Sequence, residues 1–526
     1  MQPRSDVRRL RTDMALAIMQ ALLAILLAAI YLVFVTSFGG EFLLVVKGAL
    51  LLPLFVIAVV AGTVVSLVLA IRSRRRGVFL GDVSAMSLSP RARTVWLIVW
   101  SVVLMAMAYP LLVLGRTLAL GAMGAVPTAA LVVLLLPYVG YATMFLVGGM
   151  LTLLRLVSRR PARLMRGAVL IGTPFVLLFI GFGVIATLWS PQWTAGVQHT
   201  ALFSPGDQPG RSYRIPALLV LPDDTVLAFA ESRQEAMSDL LDIDIVLRRS
   251  VDAARTFGPI AVVADAGTQT VHSPSPVFDA STDTVWLAYC TDYSTLYVTS
   301  SADDGVTWSA TRDLSQELAI PSGTWCHNGP GNGIVLPTGR LVIPTDQGDP
   351  RVLFSDDHGS TWQLGGSMGA GEEPTVIATV DGSLCANLRN ARGEPRLVTC
   401  SADGGLTWPP SAPDAHLVDA GTQASLMRFT GAGDGDRSRM LFSNPGAPYR
   451  GEMTMRMSYD EGATWPVARL IYEGAAGYSQ IGVLSDHTIL VLFETGRYDL
   501  RQSITLARVD LDWLTQGTET PHAPWP

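Results

Sequence analysis

The chain carries two patterns of apolar and polar positions. Its first third holds five long apolar runs, at about 14–36, 42–71, 94–115, 127–154 and 168–189. Each is long enough to cross a hydrocarbon core of roughly 30 Å, which takes about 20 helical residues. From about residue 195 the runs shorten, gain β-branched side chains and alternate apolar with polar, cut by Gly, Asp and Pro. Thr225–Glu231, Thr284–Cys290, Arg340–Thr345 and Thr488–Glu494 are examples. That texture predicts strands. The expected organisation is an α-helical transmembrane region of five spans over 1–193, then an all-β region over 194–526.

Charge sharpens the division. Charged residues are 16% of the 526, against roughly 25% in soluble globular chains. Residues 1–190 hold 17 of the 38 basic and four of the 44 acidic residues, a net of +13; the rest carries −19. The arginines cluster before the first run (Arg4, Arg8, Arg9, Arg11), between the second and third (Arg72 to Arg93), and between the fourth and fifth (Arg155 to Arg166). The other loops hold only Glu41 and Arg116. The positive-inside rule then gives an N-terminus inside, five crossings and the acidic region outside the cytoplasm. Arginines precede the first run as in a signal peptide. Its apolar core is too long for one, and no small-residue cleavage site precedes Gly39, so it reads as a retained span. Lys47 is the one ionisable residue within a run, so the spans read as an anchor, and the lipid bilayer is an expected partner. An acidic outer region disfavours nucleic acid.

The strongest feature of the all-β region is a repeated octapeptide, Ser-x-Asp-x-Gly-x-Thr-Trp. Its copies are Ser301–Trp308, Ser355–Trp362, Ser401–Trp408 and Ser458–Trp465, with a degenerate copy at Ser250–Phe257. Their starts differ by 51, 54, 46 and 57 residues, the period of a propeller or solenoid. The Asp can accept from the backbone of its own turn, the Gly supplies a positive φ, and the terminal aromatic is an apolar plug. Calcium ligation is disfavoured, because too few carboxylates converge in each copy. At 50–55 residues per unit the region fits a six-bladed β-propeller.

These octapeptides resemble the Asp boxes of sialidases (neuraminidases). Ser212–Pro216, reading SYRIP, is similar to that family's Phe/Tyr-Arg-Ile-Pro motif. The resemblance covers about 200–510 and not the apolar third. It implies an exo-α-sialidase that needs no cofactor and acts on sialylated glycans, glycoproteins or glycolipids. Such a site must hold the carboxylate on the sugar's anomeric carbon, which suits arginine forks. A carboxylate nucleophile would be repelled by that anion, so sialidases use tyrosine, which needs a base beside it.

The resemblance assigns roles in order. Arg214 in SYRIP, Arg389 in CANLR and Arg456 in MRMSYD resemble the arginine triad. Tyr478 resembles the nucleophile, and Glu373, 16 residues before Arg389, the glutamate that activates it. Glu494 resembles the acid that orients the first arginine, and Arg233 a further substrate contact. Asp239 is the expected acid/base, with Asp242 as runner-up. The resemblance also leaves room for a trans-sialidase, or for a sialoglycan-binding receptor without catalysis. His272, His327 and His358 read as turn residues with no metal spacing. Of the four cysteines, Cys385 and Cys400 flank a turn almost symmetrically and are expected to pair. Cys290 and Cys326 are left open.

Overall fold

A computed structural model describes residues 191–519, apart from 235–238, 432–435 and 498. The five apolar runs lie outside the described residues. Among the described residues no helix is long and apolar enough to cross a membrane.

The region is all-β, with antiparallel sheets and one short helix, Leu511–Thr515. The predicted strands appear with their edges shifted by a residue or two, at Val226–Arg233, Thr284–Thr291, Leu341–Gln347 and Ile489–Gly496. Three sheets have four strands in sequence order, one has five, and one has seven. In the seven-stranded sheet, Val467–Val483 changes partner midway. Its first part pairs with Gly451–Ser458 and its second with Ile489–Gly496. The first strand, Gln198–Phe203, is the outer neighbour of the last, Ser503–Val509.

The core lies between neighbouring sheets. Phe229 and Leu247 of one sheet cluster with Val285 and Leu287 of the next. The octapeptides lock these contacts. In Ser301–Trp308 the Asp303 carboxylate accepts from Thr307 N at 2.8 Å, and Gly305 N donates to Ser301 Oγ at 2.9 Å. Gly305 has φ 80°. The degenerate copy keeps these bonds with Ala254 in the glycine's place, at φ 57°. The terminal aromatics pack on the preceding sheet: Trp308 on Phe229 at 6.0 Å, Trp362 on Trp286 at 5.7 Å.

Each octapeptide follows the third strand of its set, so it marks one edge of the sheets. The opposite edge is shaped by bulges. The first strands of three sheets shift register at Arg214/Ala217, His272/Ser275 and Glu372/Thr375. At each shift a non-glycine residue with positive φ precedes a proline: Ile215 (54°), Ser273 (59°) and Glu373 (44°). L-residues adopt that backbone at a cost, and such positions gather at functional sites.

Both cysteine pairs are bridged. Cys385 and Cys400 lie directly opposite on paired strands, as expected, and Cys290 joins Cys326, which the sequence reading left open. Closing 15 residues should contribute about 3 kcal/mol through the unfolded chain. Replacing Cys385 and Cys400 together by Ala should lower unfolding free energy by that amount. Denaturant melts of the double variant and wild type check it.

Candidate active site

Strand direction decides which side chains meet. First and third strands begin at the bulged edge, and second strands end there. Arg214 starts Ser212–Val220, Glu373 starts Glu372–Ala378, and Glu231 and Arg233 end Val226–Arg233. Arg389 ends Leu384–Arg389, Glu494 lies near the end of Ile489–Gly496, and Tyr478 lies just past the partner change in Val467–Val483.

Tyr478 is the centre. Its ring is buried, and its hydroxyl donates to Glu373 Oε1 at 2.5 Å. Arg389 Nη1 reaches the same carboxylate oxygen at 2.9 Å and the tyrosine hydroxyl at 3.2 Å. The Arg214 and Arg450 guanidinium carbons stand 5.6 and 5.7 Å from the ring centroid. Burial and the Glu373 charge push the phenol far above its ordinary value, against the three arginines. Burial alone would raise Glu373. Arg389, His327 and the tyrosine hydrogen bond outweigh it and hold the carboxyl below its usual range. Base and hydroxyl are therefore paired as carboxylate and phenol.

Glu494 is fully buried and accepts four times. Arg214 Nε bonds Oε1 at 2.9 Å and Nη2 bonds Oε2 at 3.4 Å, while the backbone N–H groups of Ile215 and Tyr478 add 3.1 and 3.2 Å. One carboxylate thus fixes both the first arginine and the tyrosine's strand. Glu231 orients Arg233 in the same way and also accepts from Ser273 N at 2.9 Å.

Asp239 joins this cluster, with 58% of its side chain exposed. Its Oδ1 lies 2.5 Å from Arg233 and 3.7 Å from Arg214. Partial burial would raise its carboxyl, but the two arginines override that and lower it. Asp242, the runner-up, is turned elsewhere: it and Asp244 pair with Arg211 at 2.8 and 3.0 Å.

The structure does not bring Arg456 to the cluster. Its Nη1 bonds Asn444 Oδ1 at 2.7 Å. Arg456 stands six residues past Arg450 along an extended strand, roughly 20 Å away at about 3.3 Å per residue, toward the octapeptide edge. The third arginine is Arg450, just before Gly451–Ser458. Its Nη2 bonds Gly421 O at 2.7 Å, and it forms no ion pair among the described residues. Burial, and the like charges of Arg214 and Arg389, lower its proton affinity.

A buried ion pair supports two of these arginines. Arg396 and Asp419, both fully buried, meet at 2.9 Å. Asp419 accepts from Asn390 N, beside Arg389, and from Gly421 N, whose carbonyl holds Arg450.

Two histidines expected in turns lie on strands at this edge. His327, in Cys326–Asn328, places Nε2 4.0 Å from Glu373 Oε1. His272, in Val271–Asp279, is buried under Tyr293. His358 does sit in a turn, on Asp279 at 2.8 Å. No set of three metal-ligating side chains gathers among the described residues.

Arg214, Arg389 and Arg450 converge on one tyrosine, and Arg450 faces it with no carboxylate partner among the described residues. Such a cluster can hold an anion bidentately beside a hydroxyl that already shares its proton with a base. Relatives with this architecture are known. Residues 202–491 match the family described as a BNR repeat-like domain. The chain is 31% identical over 342 residues to a sialidase of Micromonospora viridifaciens, covering 58% of this chain and 52% of that one. It thus spans about half of that relative. It is 30% identical over 356 residues to an exo-alpha-sialidase of Aspergillus fumigatus, covering 58% of this chain and 86% of that one. The solved structure of Hadza microbial sialidase Hz136 matches with a TM-score of 0.55 at 26% identity, over 60% of this chain and 69% of that one. With a family match over more than half its length, and identity over most of the Aspergillus protein, the chain belongs to the sialidase family of glycoside hydrolases.

Proposed function

We propose that this chain is a membrane-anchored exo-α-sialidase. It hydrolyses terminal α-linked sialic acids of glycoconjugates outside the cytoplasm, with retention of configuration. The anchor is the five-span region over 1–193, supported by run length and by the alternation of arginine-rich loops. The all-β region, 194–526, is a six-bladed propeller. Its seven-stranded sheet is two blades run together through Val467–Val483, and its first strand closes the last blade.

The observation that carries the reading is the Glu373–Tyr478–Arg389 contact at 2.5 and 3.2 Å. Arg214, Arg389 and Arg450 clamp the substrate carboxylate. Glu373 takes the phenolic proton as Tyr478 Oη attacks the anomeric carbon, giving a covalent glycosyl-enzyme. Asp239 gives a proton to the departing oxygen, then takes one from the water that releases sialic acid. Asp239 is an ion-paired anion in the free site. Docking of the substrate carboxylate on Arg214 removes one of its two cations and raises its proton affinity, so Asp239 takes up a proton from solvent as the substrate arrives and is then ready to act as the acid. Arg233, held by Glu231, keeps the aspartate facing the cluster.

Release of a fluorogenic leaving group from its α-sialoside by the purified full chain in detergent tests the function. No release across pH 4–8 would sink it. The acid assignment is tested by leaving-group dependence. Asp239→Ala should lower kcat about 10²- to 10⁴-fold on an alkyl sialoside, and far less on an aryl sialoside whose leaving group needs no proton. Asp242→Ala should leave both rates within about twofold, as a change away from the reacting atoms does.

A further inference from the structure

The segment that carries Asp239 has an anchor with no role in the chemistry above. It joins Val226–Arg233 to Ile243–Ser250, and the last pair of their ladder is Arg233 with Ile243. Just beyond that pair Gln234 N donates to Asp242 O at 3.1 Å, and this bond forms the neck of the segment. Arg211 meets the neck from the neighbouring strand. It directly precedes Ser212, which stands opposite Arg233. Its Nη1 reaches Asp242 Oδ1 at 2.8 Å and the carbonyls of Ser232 and Asp242 at 3.4 Å each. Its Nη2 meets Asp244 Oδ2 at 3.0 Å. One guanidinium thus ties the incoming stem, at Ser232, to the outgoing stem, at Asp242 and Asp244. A planar fork with several fixed donors suits that task.

The tie matters most when the acid works. In the free site Asp239 is held by ion pairs to Arg233 and Arg214. Both weaken as the substrate arrives. Arg214 turns to the substrate carboxylate, and a protonated Asp239 brings no charge of its own to its bond with Arg233. The backbone on either side must then keep the acid in place. Asp239 lies three residues before Asp242. Between them Leu241 O accepts from Thr270 Oγ1 at 2.8 Å. The outgoing stem is therefore fixed from two sides, by Thr270 and by Arg211. Proton transfer needs hydrogen-bond reach, and a misplacement of about 1 Å can cost 10²-fold in rate.

We propose that Arg211 is a positioning residue for the acid: by clasping both stems it holds Asp239 at the leaving oxygen while the glycosidic bond breaks. One short stretch, Arg211–Arg214, then serves both the carboxylate clamp and the acid. The inference rests on the sialidase reading and on Asp239 as its acid. It also fits the silence expected of Asp242→Ala, which leaves Arg211 on Asp244 and on both carbonyls.

The test compares the full chain in detergent with Arg211→Ala and Arg211→Lys on an alkyl α-sialoside and on an aryl α-sialoside whose leaving group needs no proton. The readout is kcat/KM, which covers departure of the leaving group and not the later attack of water. Arg211→Ala should lower it about 10- to 10²-fold on the alkyl substrate, with KM little changed, and leave the aryl substrate within about threefold. The aryl rate reports a folded chain with its arginine clamp intact. Arg211→Lys keeps the charge without the fork, so it should recover part of the loss. Should Arg211→Ala fail to fold, the same contrast between substrates is read from Arg211→Lys. Combined with Asp239→Ala, Arg211→Ala should cost little more, because two changes that act through one group do not add. Equal losses on both substrates, or full additivity with Asp239→Ala, would make Arg211 a support of the fold at large and would overturn the assignment. So would an unchanged alkyl rate. If wild type hydrolyses neither substrate, the sialidase reading falls and this inference with it; every outcome at Arg211 in an active wild type bears on the clasp alone.

Discussion

Tyr478→Phe should reduce kcat about 10⁴-fold, the scale on which removing one reacting group disables a catalytic unit, with KM changed only a few-fold. The variant removes one oxygen. Phe keeps the ring against Arg214 and Arg450 and leaves the three guanidinium groups to hold the substrate carboxylate. Glu373 Oε1 loses the tyrosine as a donor but keeps Arg389 at 2.9 Å. The loss should therefore appear in the chemical step. Single-turnover kinetics with an aryl α-sialoside separate that step from binding. A mechanism-based fluorosialoside should label the wild-type chain at Tyr478, and the variant not at all. Undiminished turnover by Tyr478→Phe would end the assignment of the nucleophile.

Arg450→Ala should lower kcat/KM by about 10²- to 10³-fold, since truncating one partner of a buried charge pair costs roughly 2–5 kcal/mol. Arg456→Ala should stay within a few-fold. The comparison is sharp because both arginines belong to one chain segment and both are largely buried. Arg456 has a protein partner in Asn444. Among the described residues Arg450 bonds only a carbonyl, and it stands over the tyrosine. Arg450→Lys tests the fork: an ammonium keeps the charge but gives up bidentate pairing, so it should recover only part of the loss. Equal effects at 450 and 456 would contradict this account.

Much of the fold is legible because strands and octapeptides leave local marks. Alternation with period two locates Val226–Arg233 and Ile489–Gly496 without any knowledge of their partners. The octapeptides announce themselves through Ser, Asp, Gly and Trp at fixed offsets. Site residues were legible where a motif fixes the end of a strand, as SYRIP does for Arg214 and CANLR does for Arg389. Arg456 shows the limit. Two arginines in one segment differ only in which end of the strand they occupy, and local pattern carries no such direction. The octapeptide did hold the signal. It follows the third strand, so it marks the edge away from Tyr478, and an arginine two residues before it lies at the wrong end. His272 failed differently. His272-Ser273-Pro274-Ser275-Pro276 reads as a turn, yet Ser273 at φ 59° absorbs the kink and the strand continues. Cys290 and Cys326 lie on separate sheets, so nothing local could pair them.

In the proposed propeller the ring is closed by the pairing between Gln198–Phe203 and Ser503–Val509, strands roughly 300 residues apart. That pairing sets an order of events during synthesis. At about 5–20 residues per second, the first strand leaves the ribosome roughly 15–60 seconds before its only ladder partner exists. Through that interval it is an open edge able to pair with another chain. The middle sheets can form as they emerge, but the two ends must meet last. A nascent chain is thus most prone to mispairing at its first strand, and a break between Gly496 and Ser503 would leave the rest of that propeller built and unsealed.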